Sequence, residues 1–304
     1  LLESVSSLEE SYEDLNTKKL RKNLDKYLKK YLSQTHKHYK KAVNEITTKI
    51  LEKLTGLPKD ATPTQVEKAI LEAIRKNWKD VFSTNQSKFT EKIIIEAYQA
   101  FRTDTGVIST GDVPEATFNV DDRRTQEYHI KNDTLYLGKF IQDKDVKKAI
   151  NKFIKDEYVR DGRPILDKDG IKKFKEEFPD VLNQKDWKIA QVISATVNRM
   201  RNDATVLYMN QAKVTTYEIR GITDRLQCVY CQALQGTQFS VVEQVKHIQD
   251  RNKLNPKDTS KRSPFITSIP ITEVRQMTPK QLQALNFSSP PYHPKCRDLV
   301  VVVR

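Results

Sequence analysis

The sequence predicts a predominantly helical α+β protein: an N-terminal helical bundle, then a long helix, then a small C-terminal α+β domain with a short sheet. Three observations predict it. Apolar residues recur at three- and four-residue spacing through most of the chain before Ala212, the period of a helix with one buried face. Beyond Ala212 the pattern changes to short β-branched runs broken by glycine. All three cysteines then fall in two stretches of this last part, "CVYCQALQG" from Cys228 and "PPYHPKCRD" from Pro290.

The elements follow in order. Leu20, Leu24, Tyr27, Leu28, Tyr31 and Leu32 share a helical face that Val43, Ile46, Ile50 and Leu54 continue, as one long or once-broken helix ending at the Gly56/Pro58 breaker. Thr64 can cap a second helix carrying Val66, Ile70, Leu71, Ile74 and Trp78. A third runs through "FTEKIIIEAYQAFR", with Phe89, Ile93, Ile94, Tyr98 and Phe101 on its apolar side. Segment 1–105 is thus a basic helical region whose helices bury one another as a bundle.

Between Gly106 and Pro114 the periodicity stops, and segment 106–184 is expected to be a linker with intermediate helices. Within it "TLYLGKFI" reads as a short strand or extended arm, and helices are expected near 143–158 and 168–177. Segment 185–304 opens with a long helix from Lys185 that buries Trp187, Ile189, Val192, Ile193, Val197, Met200, Leu207 and Met209. "VTTYEIRGI" reads as a strand, followed by the CxxC turn, a second strand in "TQFSV", a helix over 241–253 and a closing strand in "DLVVVVR".

Composition bounds the function classes. With 304 residues the chain suits about two domains. Its 37% apolar and 31% charged residues fit a folded protein with a wet surface rather than disorder, because the apolar ones are periodic. No apolar run reaches the roughly eighteen residues a membrane-spanning helix needs, so no membrane partner is expected. The acidic start "LLESVSSLEESYEDL" has no basic leader or apolar core, so it does not read as a secretory signal. The missing initiator Met fits a processed or trimmed form.

The net charge of +13 is concentrated: residues 18–53 carry twelve Lys/Arg against Asp25, Glu45 and Glu52. Lys18, Lys19, Lys22, Lys26, Lys29, Lys30, Lys37, Lys40 and Lys41 lie mostly off the apolar stripe. They are candidate contacts for nucleic acid or an acidic protein partner. A merely solvated helix face is the bland alternative. His36 and His38 share that helix and that choice, while His129 and His247 have no neighbours at ligand spacing.

Cys228-x2-Cys231 and His293-x2-Cys296 form two ligand pairs about sixty residues apart. A two-residue gap lets both members of a pair reach one ion from a tight turn, and four such donors suit a closed, structural zinc site. Zinc there would staple the loop after the first strand to the loop before the last. Free thiols, or one disulfide with a spare cysteine, remain the alternatives. Thioredoxin-like redox chemistry is disfavoured because the βαβ context is missing. No HExxH, H-x-E or glycine-rich phosphate loop is present, so no enzyme activity is expected.

Residues 185–304 resemble the phage Mu F-like minor head proteins, also called head morphogenesis proteins. The resemblance is carried by the lead-in helix Trp187 to Asn210, by Thr223, Asp224 and Arg225 ahead of Cys228 and Cys231, by Leu234 and Gly236, and above all by "PPYHPKCR". Members commonly end that motif in a further Cys where Asp298 stands here. The lead-in helix keeps Thr196 but lacks the flanking Arg and Glu of the usual triplet. The resemblance implies a non-catalytic protein of the virion's head interior, present in the host cytoplasm during assembly. Its implied partners are the portal, with packaged double-stranded DNA, scaffold and major capsid protein, in head assembly and genome delivery. No toxin-like cargo domain is expected after Arg304. A zinc-stabilised nucleic-acid-binding protein not tied to virions is the other reading.

Overall fold

The computed structural model describes residues 15–58, 60–109, 118–138, 148–149, 151–153, 168–183, 187–221, 227–261, 265–294 and 296–303. Helix α1 (Leu15–Thr55) is unbroken, and its buried positions step by three or four from Leu24 through Tyr27, Tyr31, Thr35, Tyr39, Val43, Ile46, Ile50 and Leu54. Helix α2 (Pro63–Trp78) is capped by Thr62 rather than Thr64. The Gln65 N–H donates to Thr62 Oγ1 at 3.4 Å and the Thr62 N–H donates to Gln65 Oε1 at 2.7 Å. Pro63 moves the cap back, since its fixed φ and missing N–H suit the first helical position.

A π-helical turn over Lys79–Ser83 leads into α3 (Thr84–Ser109), which continues past Gly106, where a loop was expected. Helix α4 (Val120–Gly138) corrects the reading of "TLYLGKFI" as a strand or extended arm: its first five residues, "TLYLG", end this helix. Its buried face is mostly polar, Asp122, Thr125, His129, Asn132 and Asp133 beside Tyr128 and Leu137, so no continuous apolar stripe announces it. Helix α5 (Lys168–Asn183) outlasts the expected 168–177 and carries Pro179 inside. Of the expected helix at 143–158, residues 148–149 and 151–153 are helical and the rest lies outside the described residues. In α6 (Trp187–Gln211) the expected apolar positions are buried, except that Val192 is half-buried and Trp187 is 47% exposed.

The chain forms two compact units that are not consecutive in sequence: Leu1–Lys30, Glu91–Asn132 and Ile193–Arg304 in one, Tyr31–Thr90 and Asp133–Val192 in the other. The segments 1–105, 106–184 and 185–304 therefore do not coincide with the spatial units. The second unit packs aromatic rings: Tyr39 lies edge-on to Trp78 at 5.8 Å, Trp78 is 4.8 Å from Phe82, and Phe174 stacks on Phe178 at 4.5 Å. Such pairs add about 0.5–1.5 kcal/mol each beyond their buried area. Two of its buried hydroxyls are satisfied within the unit, Tyr31 donating to Asp133 Oδ2 at 2.8 Å and Tyr39 to the Leu182 carbonyl at 2.9 Å.

The first unit holds a three-stranded antiparallel sheet in the order β2-β1-β3. Strand β1 (Thr216–Arg220) pairs with β2 (Gln238–Ser240), Tyr217 opposite Phe239, and with β3 (Leu299–Val302), Arg220 opposite Leu299. Between the strands lie α7 (Val229–Leu234), α8 (Val241–Asn252), α9 (Ile271–Val274) and α10 (Pro279–Ala284). Met209, Tyr217, Ile219, Leu234, Phe239, Ile248 and Val300 share one core, and Cys231 and Cys296 belong to it. Among the described residues no helix is long and apolar enough to cross a membrane.

Candidate metal centre

The sheet register brings the two cysteine stretches together. Arg220, the last residue of β1, sits opposite Leu299, the first of β3. The chain leaving β1 and the chain entering β3 therefore share one end of the sheet. From the first, Cys228 caps α7 in extended conformation, its Sγ accepting the Cys231 N–H at 3.4 Å. One helical turn then aims both sulfurs the same way. Gly236, at φ +72°, reverses the chain into β2.

From the second stretch, the Cys296 N–H donates to the His293 carbonyl at 3.0 Å, closing the turn that pairs these residues. Helix α6 holds that stretch through a buried polar edge. Asn198 Nδ2 donates to the Cys296 carbonyl at 2.6 Å and Asn202 Nδ2 to the Pro290 carbonyl at 3.1 Å, while Asn202 Oδ1 accepts the Val300 N–H at 3.2 Å and Arg201 Nη1 at 2.7 Å. The Pro290–Pro291 peptide is cis. Apolar periodicity located α6, yet these side chains, three and four residues apart on the helix, went unnoticed because they are polar.

All four expected ligands meet. Cys231 Sγ lies 3.4 Å from Cys228 Sγ, 3.3 Å from His293 Nε2 and 3.9 Å from Cys296 Sγ. Tetrahedral zinc bonds of about 2.3 Å to sulfur and 2.0–2.1 Å to nitrogen imply donor–donor edges of about 3.8 and 3.5 Å. The observed edges are close to those, and too long for a disulfide; all three cysteines are free. A fifth donor, missed as a ligand from the sequence, completes the group. The donor atoms of Cys228, Cys231 and His293 lie within 4.8 Å of one another, and so do those of Cys231, Cys296 and Asp298. The Asp298 Oδ2 is buried with no hydrogen-bond partner, which fits a cluster built for a cation. The CxxC does open a helix, unlike the plain turn expected, but the adjoining sheet is antiparallel throughout and the βαβ context of redox motifs is absent from it.

The electrostatics follow from crowding acids together. The hydrogen bond with Cys296 pushes the Cys231 thiol far up, helped by burial and by the Cys296 and Asp298 charges. Burial raises the Asp298 carboxyl, partly offset by Cys231, Arg21 and Arg297. Burial, with Arg297, lowers His293, which favours the neutral imidazole that a metal ion takes. A divalent cation reverses the penalty on the acids by pairing with their ionised forms.

Gly221 makes room for this arrangement. A Cβ there would stand 2.3 Å from Asp298 Oδ1 and 2.8 Å from Gln227 Nε2. Gly221→Ala is expected to displace the carboxylate and to destabilise this unit by about 1–3 kcal/mol, the usual cost of overpacking, as read from urea unfolding. An unchanged midpoint would show that the carboxylate yields freely.

Elsewhere the predicted basic residues present themselves as a stripe. Lys22, Lys26 and Lys29 are exposed at successive helical steps, and Lys37 and Lys40 are exposed two turns further on, past Ser33. Lys30 is paired with Glu96 at 2.7 Å and Lys41 with Glu45 at 3.7 Å; Lys18 and Lys19 lie in α1 with side chains outside the described residues. His38 is a packing residue, 3.0 Å from Gln86 Oε1 and edge-on to Phe89. His129 belongs to a buried ionic group no short-range spacing could reveal: its Nε2 is 2.8 Å from Asp203 Oδ2, and Arg251 grips the same carboxylate at 2.6 and 3.2 Å. A cavity of about 20 Å³ beside Asp203 and Arg251 has room for a water, not a substrate.

Compared with models of known families, with curated proteins and with solved structures, the chain finds no match.

Proposed function

We propose that the chain is a non-catalytic minor head protein of a tailed phage or prophage, carried inside the head beside the portal, with a structural zinc ion closing its C-terminal unit. The observation that supports this reading best is the meeting of CxxC with HPxC at one end of the sheet, around a shared Cys231. These are the residues on which the resemblance to Mu F-like proteins rests. Zinc, when bound, offsets the thiolate charges and ties four donors together. The thiolates of Cys228, Cys231 and Cys296 supply three places, and the fourth falls to one of the two remaining donors, His293 or Asp298. Such a staple fixes the loop after β1 against the loop before β3, a geometry that serves docking rather than turnover.

The lysine stripe supplies a partner surface. Lys22, Lys26 and Lys29 span about 10 Å of α1 at 1.5 Å per residue in one unit, and Lys37 and Lys40 are exposed on α1 in the other, each set able to meet backbone phosphates or an acidic face of a portal. Scaffold and major capsid protein are the secondary partners. The stripe also favours the second reading, a zinc-stabilised nucleic-acid-binding protein not tied to virions.

Two measurements test the proposal. Mass spectrometry of purified particles, with co-expression of the same phage's portal protein, should find the chain in heads and bound to the portal; its absence from both refutes the virion reading. For the stripe, the five-fold change of Lys22, Lys26, Lys29, Lys37 and Lys40 to Glu is expected to abolish low-salt binding to double-stranded DNA or to portal. Single changes should lower the slope of log K against log salt by about 0.9 for each lost phosphate contact on DNA. Unaltered binding by the five-fold variant would reduce the stripe to a solvated face.

A further inference from the structure

We propose that the fourth ligand of the metal is Asp298, not His293, so that the ion is held by Cys228, Cys231, Cys296 and the Asp298 carboxylate. This rests on the metal-staple reading above and names its ligand set. The backbone argues first. Cys296 and Asp298 stand two residues apart just ahead of β3, both buried with the half-buried Arg297 between them, so the two side chains turn inward together. Both therefore face Cys231, and the three donors lie within 4.8 Å of one another.

The carboxylate is also the donor with the stronger need. Asp298 is 1% exposed, and its Oδ2 has no hydrogen-bond partner. A buried, unsatisfied carboxylate oxygen is costly, and a coordinated cation removes that cost. Gly221 leaves the space that the Asp298 Oδ1 occupies. His293 is half-buried; its Nε2 is 3.3 Å from Cys231 Sγ, and it groups with Cys228 and Cys231 but not with Cys296 or Asp298. Cys231, Cys296 and Asp298 are all buried, whereas Cys228 and His293 are half-buried, so the enclosed side of the cluster is the one that Asp298 lines. His293 is then an outer residue over the sulfurs, set by the turn that places Cys296.

The test uses the full chain loaded with cobalt(II) as the probe, whose thiolate charge-transfer absorption reports how many sulfurs are bound. Asp298→Cys is expected to raise that absorption from the three-thiolate to the four-thiolate level at one cobalt per chain. Asp298→Asn should weaken cobalt binding by more than the roughly 100-fold that losing an outer-shell partner costs. His293→Ala should keep the one-to-one stoichiometry and the wild-type spectrum. X-ray absorption of the zinc-loaded wild type, which needs no variant to fold, should lack imidazole outer-shell scattering. Imidazole scattering in the wild type, or a His293→Ala chain that binds no cobalt, would overturn the assignment while leaving the staple intact. A wild-type chain that takes up neither metal would overturn both.

Discussion

A Cys231→Ser chain is expected to lose its metal and to unfold in its C-terminal unit at a denaturant concentration where the unaltered protein is native. Two costs coincide at this sulfur. Cys231 is the one donor common to both triads, so its loss leaves neither triad intact. It is also 2% exposed within the core that contains Leu234, Phe239 and Val300, where a hydroxyl in its place must be desolvated. Structural zinc contributes on the order of 10 kcal/mol to small domains that have little else. Here an apolar core already carries part of the load, so a loss of about 3–5 kcal/mol is expected, similar to deleting a native cross-link from a small domain. Cys228→Ser should cost less, since that sulfur is half-buried and belongs to one triad. Urea unfolding with and without a chelator checks the claim: chelation should move the wild type toward Cys231→Ser and leave the variant where it is. A variant with full metal content and an unmoved midpoint would dissolve the idea of a shared central ligand.

Why this cluster was legible in the sequence, and other features were not, comes down to what short-range patterns encode. Cysteine is scarce in this chain, and two-residue gaps constrain geometry locally, so Cys228/Cys231 and His293/Cys296 stood out as pairs; the β-branched runs flanking them fixed the strands whose register unites them. Asp298 was visible as a residue but not as a donor, because carboxylates are common and its place beside Cys231 and Cys296 follows only from the folded chain. Helix α4 was hidden for the opposite reason. Its inward face carries Asp122, Thr125, His129 and Asp133, so a search for apolar periodicity finds no stripe, although the burial period itself is helical. Those groups are tolerated inside because their partners come from distant helices. Arg102 and Tyr98 on α3 meet Asp122, and Asn252 on α8 meets Thr125. Contacts across such separations leave no trace in spacing.

The largest of these hidden contacts sets the second strong expectation: Asp203→Ala should destabilise its unit by about 3–5 kcal/mol, because it strands the buried Arg251 cation. Asp203 on α6 accepts both Arg251 donors and His129 Nε2, and the Arg251 guanidinium also lies 4.5 Å above the Tyr128 ring. Replacing the pair together, Asp203→Leu with Arg251→Met, should recover much of the loss, since a buried ion pair gains little over packed apolar side chains. The same group imposes a pH dependence with a definite sign. His129 is held below the usual imidazole range, first by burial, with Arg251 and Arg199 adding to it and Asp203 opposing. Burial pushes the Asp203 carboxyl up, but Arg251 and His129 outweigh it and hold it below the usual range. In both cases the unfolded chain binds the proton first, so stability rises with pH across each transition. It should therefore be level above about pH 7, begin to fall as pH drops through about 6.5, and fall again below about pH 4, where the unfolded Asp203 carboxyl protonates. His129→Gln should erase the contribution of this imidazole to the upper step while leaving the lower one, measured as urea midpoints from pH 8 to pH 4. An upper step of the same size in that variant would assign the proton uptake to another group, and the buried triad would then be inert to acid until its carboxylate titrates.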